Sequence, residues 1–75
     1  MELESVKLIA TAIVVGLGTL GPGIAIGLIG GKSVEAISRN KEAQANIFPA
    51  MILCIAFAEA IAIYALVIGL ILKYT

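Results

Sequence analysis

The stretch at residues 8–31 reads LIATAIVVGLGTLGPGIAIGLIGG and holds no charged side chain in 24 positions. A helix needs about 20 such residues to cross the hydrocarbon core of a bilayer. The chain around it has 75 residues, 61% of them hydrophobic, with a mean hydropathy of +1.14. A chain of this composition has too little polar surface to cover itself in water. This stretch therefore predicts a first transmembrane helix.

A second apolar run follows at residues 43–72 and is interrupted only by Glu59. In lipid every backbone polar group must be paired within the protein, which favours helices, and two spans cannot close a barrel. We therefore predict an all-α membrane protein: a two-span antiparallel transmembrane helical hairpin that forms a single unit over residues 1–75. The first helix is expected at about 5–38, a polar loop at about 39–43 and the second helix at about 44–74, with both termini on one side.

Composition excludes several classes of protein. The net charge is zero, so nothing favours nucleic-acid binding. One cysteine and no histidine exclude an internal disulfide and a zinc-type ligand set, and we expect no cofactor and no metal. A cleaved signal peptide is the alternative for the first run, but that run is too long and acidic residues precede it. Three basic residues near the loop against two near the termini favour a cytoplasmic loop.

Seven of the eight glycines lie in the first span. Four of them fall within about 60° on one face, and small residues also lie on roughly the opposite side. Small residues let helix backbones approach closely in lipid. A close neighbour on each face, repeated head to tail, closes into a homo-oligomeric ring. The residues expected to pack this ring are Gly16, Gly18, Gly21, Gly23, Gly27, Gly30 and Gly31.

Glu59 lies near the middle of the second span, where a charge costs about 2.5–3.5 kcal/mol on insertion scales. No basic residue in either span could pair with it. An ionisable group at this depth indicates a function by default. We expect Glu59 to be neutral in lipid and to ionise near a cation or a water path, as a proton-binding residue does. The alternative is a buried acid that holds two helices together.

Sodium is the alternative ion, and it requires several oxygen ligands. The side chains within one turn of Glu59 offer none, and neither do residues 23–26, which should lie at the same level of the first helix. Tyr64 is the nearest hydroxyl and is expected to hydrogen-bond near the carboxyl, with an interfacial anchor as its alternative role. The groups expected to surround the proton site are Ala25, Ile26, Phe57 and Tyr64.

The segments GLGTLGPGIAIGLIGGKSVEAISRN (16–40) and AFAEAIAIY (56–64), joined through a polar turn, resemble the c subunit of F-type ATP synthases, the membrane proteolipid. The resemblance implies a ring of identical subunits whose Glu59 carboxyls carry protons past an essential arginine on the neighbouring a subunit. Ring rotation would then drive ATP synthesis in a catalytic head, so the chain itself is no enzyme. The loop at Arg39, Asn40 and Lys41 would contact the central-stalk subunits.

The resemblance also implies a location and contact with membrane lipids. A bacterial cytoplasmic (inner) membrane is favoured, with the loop in the cytoplasm, and the inner membrane of an organelle is the alternative. A passive pore would need a polar stripe along a helix, and a purely structural membrane module would not need an acid at mid-depth.

Three departures from the family pattern bear on function. The family loop usually reads Arg-Gln-Pro or Arg-Asn-Pro, whereas this chain has Arg39-Asn40-Lys41. Sodium-using members carry a glutamine where Ile26 stands and a hydroxyl residue where Ala60 stands, which favours protons here. Vacuolar-type relatives commonly have four spans, and this chain has two.

Overall fold

The computed structural model describes residues 2–75 as two long helices joined by a tight turn. Helix α1 spans Leu3–Arg39, a 3₁₀ turn spans Lys41–Ala43, and helix α2 spans Gln44–Tyr74. The two helices run antiparallel and contact each other along their length. The predicted two-span helical hairpin is confirmed.

The hairpin is longer than a bilayer is thick. It measures 58 Å along its longest axis and 16 Å and 7 Å along the others. Both helices contain a segment long and apolar enough to cross a membrane. A hydrocarbon core is about 30 Å thick, and a bilayer with its headgroups is about 40–45 Å thick. The charged turn therefore extends beyond the hydrocarbon when the apolar segments are centred in it.

The face of α2 that packs on α1 is a narrow stripe. Its less exposed positions recur at spacings of three and four residues, which keeps them on one side of a helix. A repeat of about 3.5 residues is typical of helix pairs that stay together over many turns. These positions are Ile47, Met51, Ile55, Ala58, Ala62, Ala65, Gly69 and Leu72.

Two glycines bring the helix backbones close together. A methyl group added at Gly18 of α1 would overlap the Cβ of Ala65 on α2. A methyl group at Gly69 of α2 would overlap the Cγ2 of Val15 on α1. A larger residue at either position would force the opposite helix or its side chain to shift, which is how small residues serve helix packing in lipid.

The hairpin has almost no core of its own. Among residues 2–75 the buried residues are Ala58 and Gly69. Large apolar side chains point outward instead, with Leu17 66% exposed and Phe57 65% exposed. An apolar surface of this extent is stable only when lipid or other protein covers it. The hairpin is therefore a component of a membrane or of an assembly.

Candidate functional site

Glu59 lies at the midpoint of α2, fifteen residues from Gln44 and fifteen from Tyr74. At 1.5 Å per residue, about 22 Å of helix separates it from either end. Among residues 2–75 no side chain forms a hydrogen bond or an ion pair with its carboxyl. The Glu59 carboxyl therefore lies at the middle of α2 and has no partner among the described residues of its own hairpin.

The direction of Glu59 follows from the residue before it. Ala58 is only 7% exposed because it packs against α1. Glu59 is one residue, or about 100°, further around the helix, and it is exposed. Its carboxyl therefore lies on a lateral flank of the hairpin, neither against α1 nor directly opposite α1. We call this side the Glu59 flank.

The residues of α1 at the level of Glu59 agree with the sequence-based expectation. Gly18 lies opposite Ala65, so in an antiparallel pair Ile24 lies about level with Glu59. Ala25 and Ile26 follow directly and are both half-buried. Because both helices are right-handed and antiparallel, Ile26 turns toward the same side as Glu59. The residues of α1 nearest to the level of Glu59 are therefore apolar.

Phe57 and Tyr64 lie on the other side of α2. They are seven residues apart, so they share a face, and they are 65% and 72% exposed. Each is separated from Glu59 by about 140–160° around the helix. We call this side the Tyr64 flank. One hairpin therefore does not bring Tyr64 and Glu59 together, and the hydrogen bond between them remains a prediction for an assembly of several copies.

Thr19 is a polar residue near this region that the sequence analysis did not identify, because it considered only residues 23–26 of the first helix. It lies five residues from Ile24 toward the termini, and its position places it on the Glu59 flank. Its hydroxyl donates to the backbone oxygen of Val15 at 2.7 Å. Because that donor is already used within α1, Thr19 adds no free donor to the site.

Metal-binding side chains do not cluster in the part of the chain that the structure describes. Within residues 2–75 no group of three or more histidine, cysteine or acidic side chains could hold a metal ion. Ile26, on the same flank, and Ala60, the next residue of α2, have no side-chain oxygen. Glu59 is therefore a single carboxyl group whose nearest side chains are apolar.

The predicted packing glycines fall into two groups. Gly18 already contacts α2 within the hairpin. The other six have nothing within 4 Å of an added Cβ, so their surfaces are open to a neighbour. Helical geometry places Gly23 and Gly27 on the side of α1 that faces away from α2. These open positions are Gly16, Gly21, Gly23, Gly27, Gly30 and Gly31.

The polar turn holds the remaining predicted residues. Arg39 ends α1, and its guanidinium donates to a carboxylate oxygen of Glu35 at 2.6 Å. Asn40 is the cap residue between α1 and the 3₁₀ turn, and Lys41 is the first residue of that turn. All three predicted loop residues are exposed at the end of the hairpin.

These features define a class of protein: a small two-span membrane proteolipid with one carboxyl group at the midpoint of its second helix, on an open flank, and an exposed polar turn. The profile of the ATP synthase c subunit family matches residues 9–72. The ATP synthase c subunit of Dehalococcoides mccartyi is 51% identical over 74 residues, which cover 99% of this chain and 97% of that protein. The ATP synthase c subunit of Chloroflexus aurantiacus is 44% identical over 72 residues, with 96% and 95% covered.

The ATP synthase c subunit of a Cyanothece species is 40% identical over 73 residues, with 97% of this chain and 89% of that protein covered. The chain belongs to the ATP synthase c subunit family. It is therefore a membrane component of an ATP synthase, with a role in ion transport and ATP synthesis, and the resemblance found in the sequence is confirmed.

Proposed function

We propose that this chain is the proton-carrying subunit of a rotor ring in an F-type ATP synthase. In this proposal Glu59 binds and releases one proton as the ring turns, and the summed steps drive ATP synthesis in a separate catalytic head. The chain carries the ion and catalyses no reaction itself. The observation that carries the proposal is a single carboxylate at the midpoint of α2, exposed on a flank and without a partner among residues 2–75.

The position of Glu59 suits a group that changes its protonation state. Hydrocarbon disfavours an ionised carboxylate, so the group stays neutral while it faces lipid or a sealed contact. A cation supplied by another subunit stabilises the ionised form and releases the proton. The family resemblance implies an arginine of the a subunit for this role. No basic residue in either span of this chain could replace it.

The surroundings of Glu59 favour a proton over sodium. Sodium needs several oxygen ligands at once. The side chains of Ile26 and Ala60 contain no oxygen that could serve as a ligand. A proton needs only the carboxyl and one or two hydrogen-bond partners, so this site requires no further ligands.

The arrangement of the two flanks supports a site completed by a second copy. Glu59 and Ile26 lie on one flank, and Phe57 and Tyr64 lie on the other. In a ring built head to tail, the Glu59 flank of one subunit meets the Tyr64 flank of the next. The side chain of a helical residue leans toward its own N-terminus, which tilts Tyr64 toward the level of Glu59. The phenol can then reach the carboxyl of the neighbour.

The remaining parts of the proposal concern the assembly. The open glycines of α1 would pack against neighbouring first helices, and the apolar outer surface of α2 would face membrane lipids and the a subunit. The turn at Arg39–Lys41 would contact the central-stalk subunits. The membrane would be the bacterial cytoplasmic (inner) membrane, with the turn in the cytoplasm.

Substitution of Glu59 tests the proposal directly. Glu59→Gln keeps the size of the side chain but cannot release a proton, so we expect coupled ATP synthesis in membrane vesicles to be lost while the oligomer still assembles. Glu4→Gln is the matched control, because Glu4 is an exposed acid in the first turn of α1. Synthesis that persists in an assembled Glu59→Gln complex would show that this carboxyl is not the carrier.

A further inference from the structure

We propose that Pro22 leaves the backbone oxygen of Gly18 free to accept a hydrogen bond from Tyr64 of the next subunit in the ring. The Tyr64 hydroxyl then has two acceptors: the Gly18 oxygen while Glu59 is neutral, and the Glu59 carboxylate once its proton has left. The inference rests on the proposed function, because it requires Glu59 to change its protonation state and a second copy to supply Tyr64. It adds a backbone acceptor and a proline to the proposed proton site.

Pro22 lies in the interior of α1. In an α-helix each backbone oxygen accepts from the N–H four residues further along the chain. Proline has no N–H, so the oxygen of Gly18 lacks this partner. Among residues 2–75 no side chain donates to that oxygen either. An unpaired backbone group is costly inside a bilayer, where such a proline is tolerated when another group pairs with the freed oxygen.

The freed oxygen lies on the same flank as the proposed proton site. Gly18 packs against Ala65, so Pro22, four residues further along α1, is about level with Ile61 in the antiparallel pair. Four residues also turn the helix by about 40°, and the right-handed sense of α1 takes Pro22 toward the Glu59 flank. Pro22 is half-buried, as expected at the edge of the contact with α2. The oxygen between these levels therefore lies about 3–9 Å along the axis from the level of Glu59.

The side chains of the same hairpin are not placed to pair with this oxygen. Thr19 is on the Glu59 flank, but its hydroxyl donates to the Val15 oxygen at 2.7 Å. The Glu59 side chain leans toward the N-terminus of α2, which lies at the turn, and therefore away from Gly18. Tyr64 belongs to the opposite flank. Because hydrocarbon supplies no water, the donor has to come from another copy.

The next copy in a ring brings Tyr64 to the required height. Rotation about one axis relates the copies of a closed ring, so they all lie at the same height and the Tyr64 flank of one meets the Glu59 flank of the next. Tyr64 of that copy is then about level with Thr19. Its side chain leans toward its own N-terminus, which is toward the level of Pro22. The hydroxyl therefore lies between the levels of Gly18 and Glu59.

The two acceptors compete for one hydroxyl proton. While Glu59 is neutral, the hydroxyl donates to the Gly18 oxygen and pairs a backbone group that is otherwise unpaired in lipid. An ionised carboxylate is the stronger acceptor, because charge-assisted hydrogen bonds are about twice as strong as neutral ones. The hydroxyl then donates to Glu59 and leaves the Gly18 oxygen without a partner. Because that loss accompanies ionisation, the Gly18 oxygen favours the neutral form of Glu59.

Other titratable groups are remote from this arrangement. On α2, Cys54 lies five residues from Glu59 toward the turn, and Lys73 lies nine residues from Tyr64 toward the termini. On α1, Lys32 is the charged residue closest in level to Glu59, about 12 Å away along the axis. The pH response of Glu59 therefore depends on its hydrogen-bond partners and on cations that other subunits supply.

Pro22→Ala tests the role of the freed oxygen. The new N–H at position 22 pairs with Gly18, which then no longer competes for Tyr64. We expect the pH at which half of Glu59 reacts with a hydrophobic carbodiimide in the assembled oligomer to fall by about half to one unit, the size of one net hydrogen bond. Pro49→Ala is the matched control, because it restores an N–H near the start of α2, and it should leave this pH unchanged. Native electrophoresis checks that both variants assemble.

Tyr64→Phe tests whether the effect passes through the tyrosine. It removes the hydroxyl for which the two acceptors compete, so Pro22→Ala should cause no shift in the Tyr64→Phe background. Tyr74→Phe is the matched control, because Tyr74 is exposed at the end of α2. Pro22→Ala should keep its full effect in that background.

The labelling results decide the inference. An unchanged half-labelling pH in Pro22→Ala would overturn it, and so would an equal shift in Pro49→Ala. A shift that persists in the Tyr64→Phe background would overturn it as well, since the oxygen would then act without the tyrosine. Failure of the proposed function is a different result, namely ATP synthesis that persists in Glu59→Gln whatever the proline variants do.

Discussion

At the scale of single residues, the sequence predicted the level of Glu59 along the hairpin but could not predict the direction of its side chain. Counting back from the turn placed it level with residues 23–26 of the first helix, and the contact of Gly18 with Ala65 confirms that level. The side of the hairpin on which Glu59 lies depends on which face of α2 packs against α1. The burial of Ala58 and Gly69 identifies this face. Because α2 is apolar on all sides, its sequence carries little signal for this choice.

A hydrophobic carbodiimide reports on the protonation of Glu59, because its reaction with a carboxyl requires the acid form. We expect labelling of the assembled oligomer at Glu59 to fall as the pH rises, and sodium to give no protection at any pH. Labelling of Glu59→Gln at the same pH provides the background. Protection by sodium would contradict the proton assignment.

Ion choice can also be tested by supplying oxygen ligands to the site. Ile26→Gln combined with Ala60→Ser places an amide and a hydroxyl beside Glu59, from the flank of α1 and from the next residue of α2. We expect sodium to slow carbodiimide labelling in this double variant, since a hard cation binds where several oxygens converge. Ile24→Gln with Ala60→Ser is the matched control, because Ile24 turns away from the Glu59 flank. Equal protection in both variants would argue against the assigned flank.

At the scale of the helices, the glycines serve two different contacts. The glycine pattern predicted close packing on two faces of α1. The structure assigns Gly18, together with Gly69 of α2, to the contact within the hairpin and leaves Gly23 and Gly27 open. The sequence alone could not separate these groups, because a glycine has the same effect on helix approach whether the neighbour belongs to the same chain or to another.

Valine substitutions distinguish the two groups of glycines. Gly18→Val introduces branched carbons where even one methyl group overlaps Ala65, so we expect the hairpin to lose about 1–3 kcal/mol of stability, as overpacked sites do. Gly23→Val meets open space within the hairpin, so its helices should stay paired while the oligomer weakens. Thermal unfolding of the monomer in detergent and native electrophoresis of the oligomer measure the two effects. An unchanged monomer in Gly18→Val would contradict the close approach.

At the scale of the whole molecule, the hairpin is a slender rod that needs other molecules around it. Its long axis of 58 Å exceeds the thickness of a bilayer, and its buried residues are only Ala58 and Gly69 among those that the structure describes. The sequence predicted the hairpin because uncharged runs of 24 and 30 residues, the second broken only by Glu59, leave few other structures in lipid. It did not predict the capped form of the turn, because that rests on the bonds of Asn40 with the backbone around it.

The orientation of the hairpin in the membrane decides which of its two ends faces the cytoplasm. The excess of basic residues near the turn favours a cytoplasmic turn, although by a margin of one residue. With Cys54 replaced by alanine, a single cysteine at Ser5 or at Lys41 provides a label at each end. A membrane-impermeant thiol reagent should reach Ser5→Cys in intact cells and Lys41→Cys only in inverted vesicles. The two ends of the hairpin extend from opposite sides of the bilayer, and the turn is expected on the cytoplasmic side. The reverse pattern would place the turn outside, where the stalk contact proposed for Lys41 could not form.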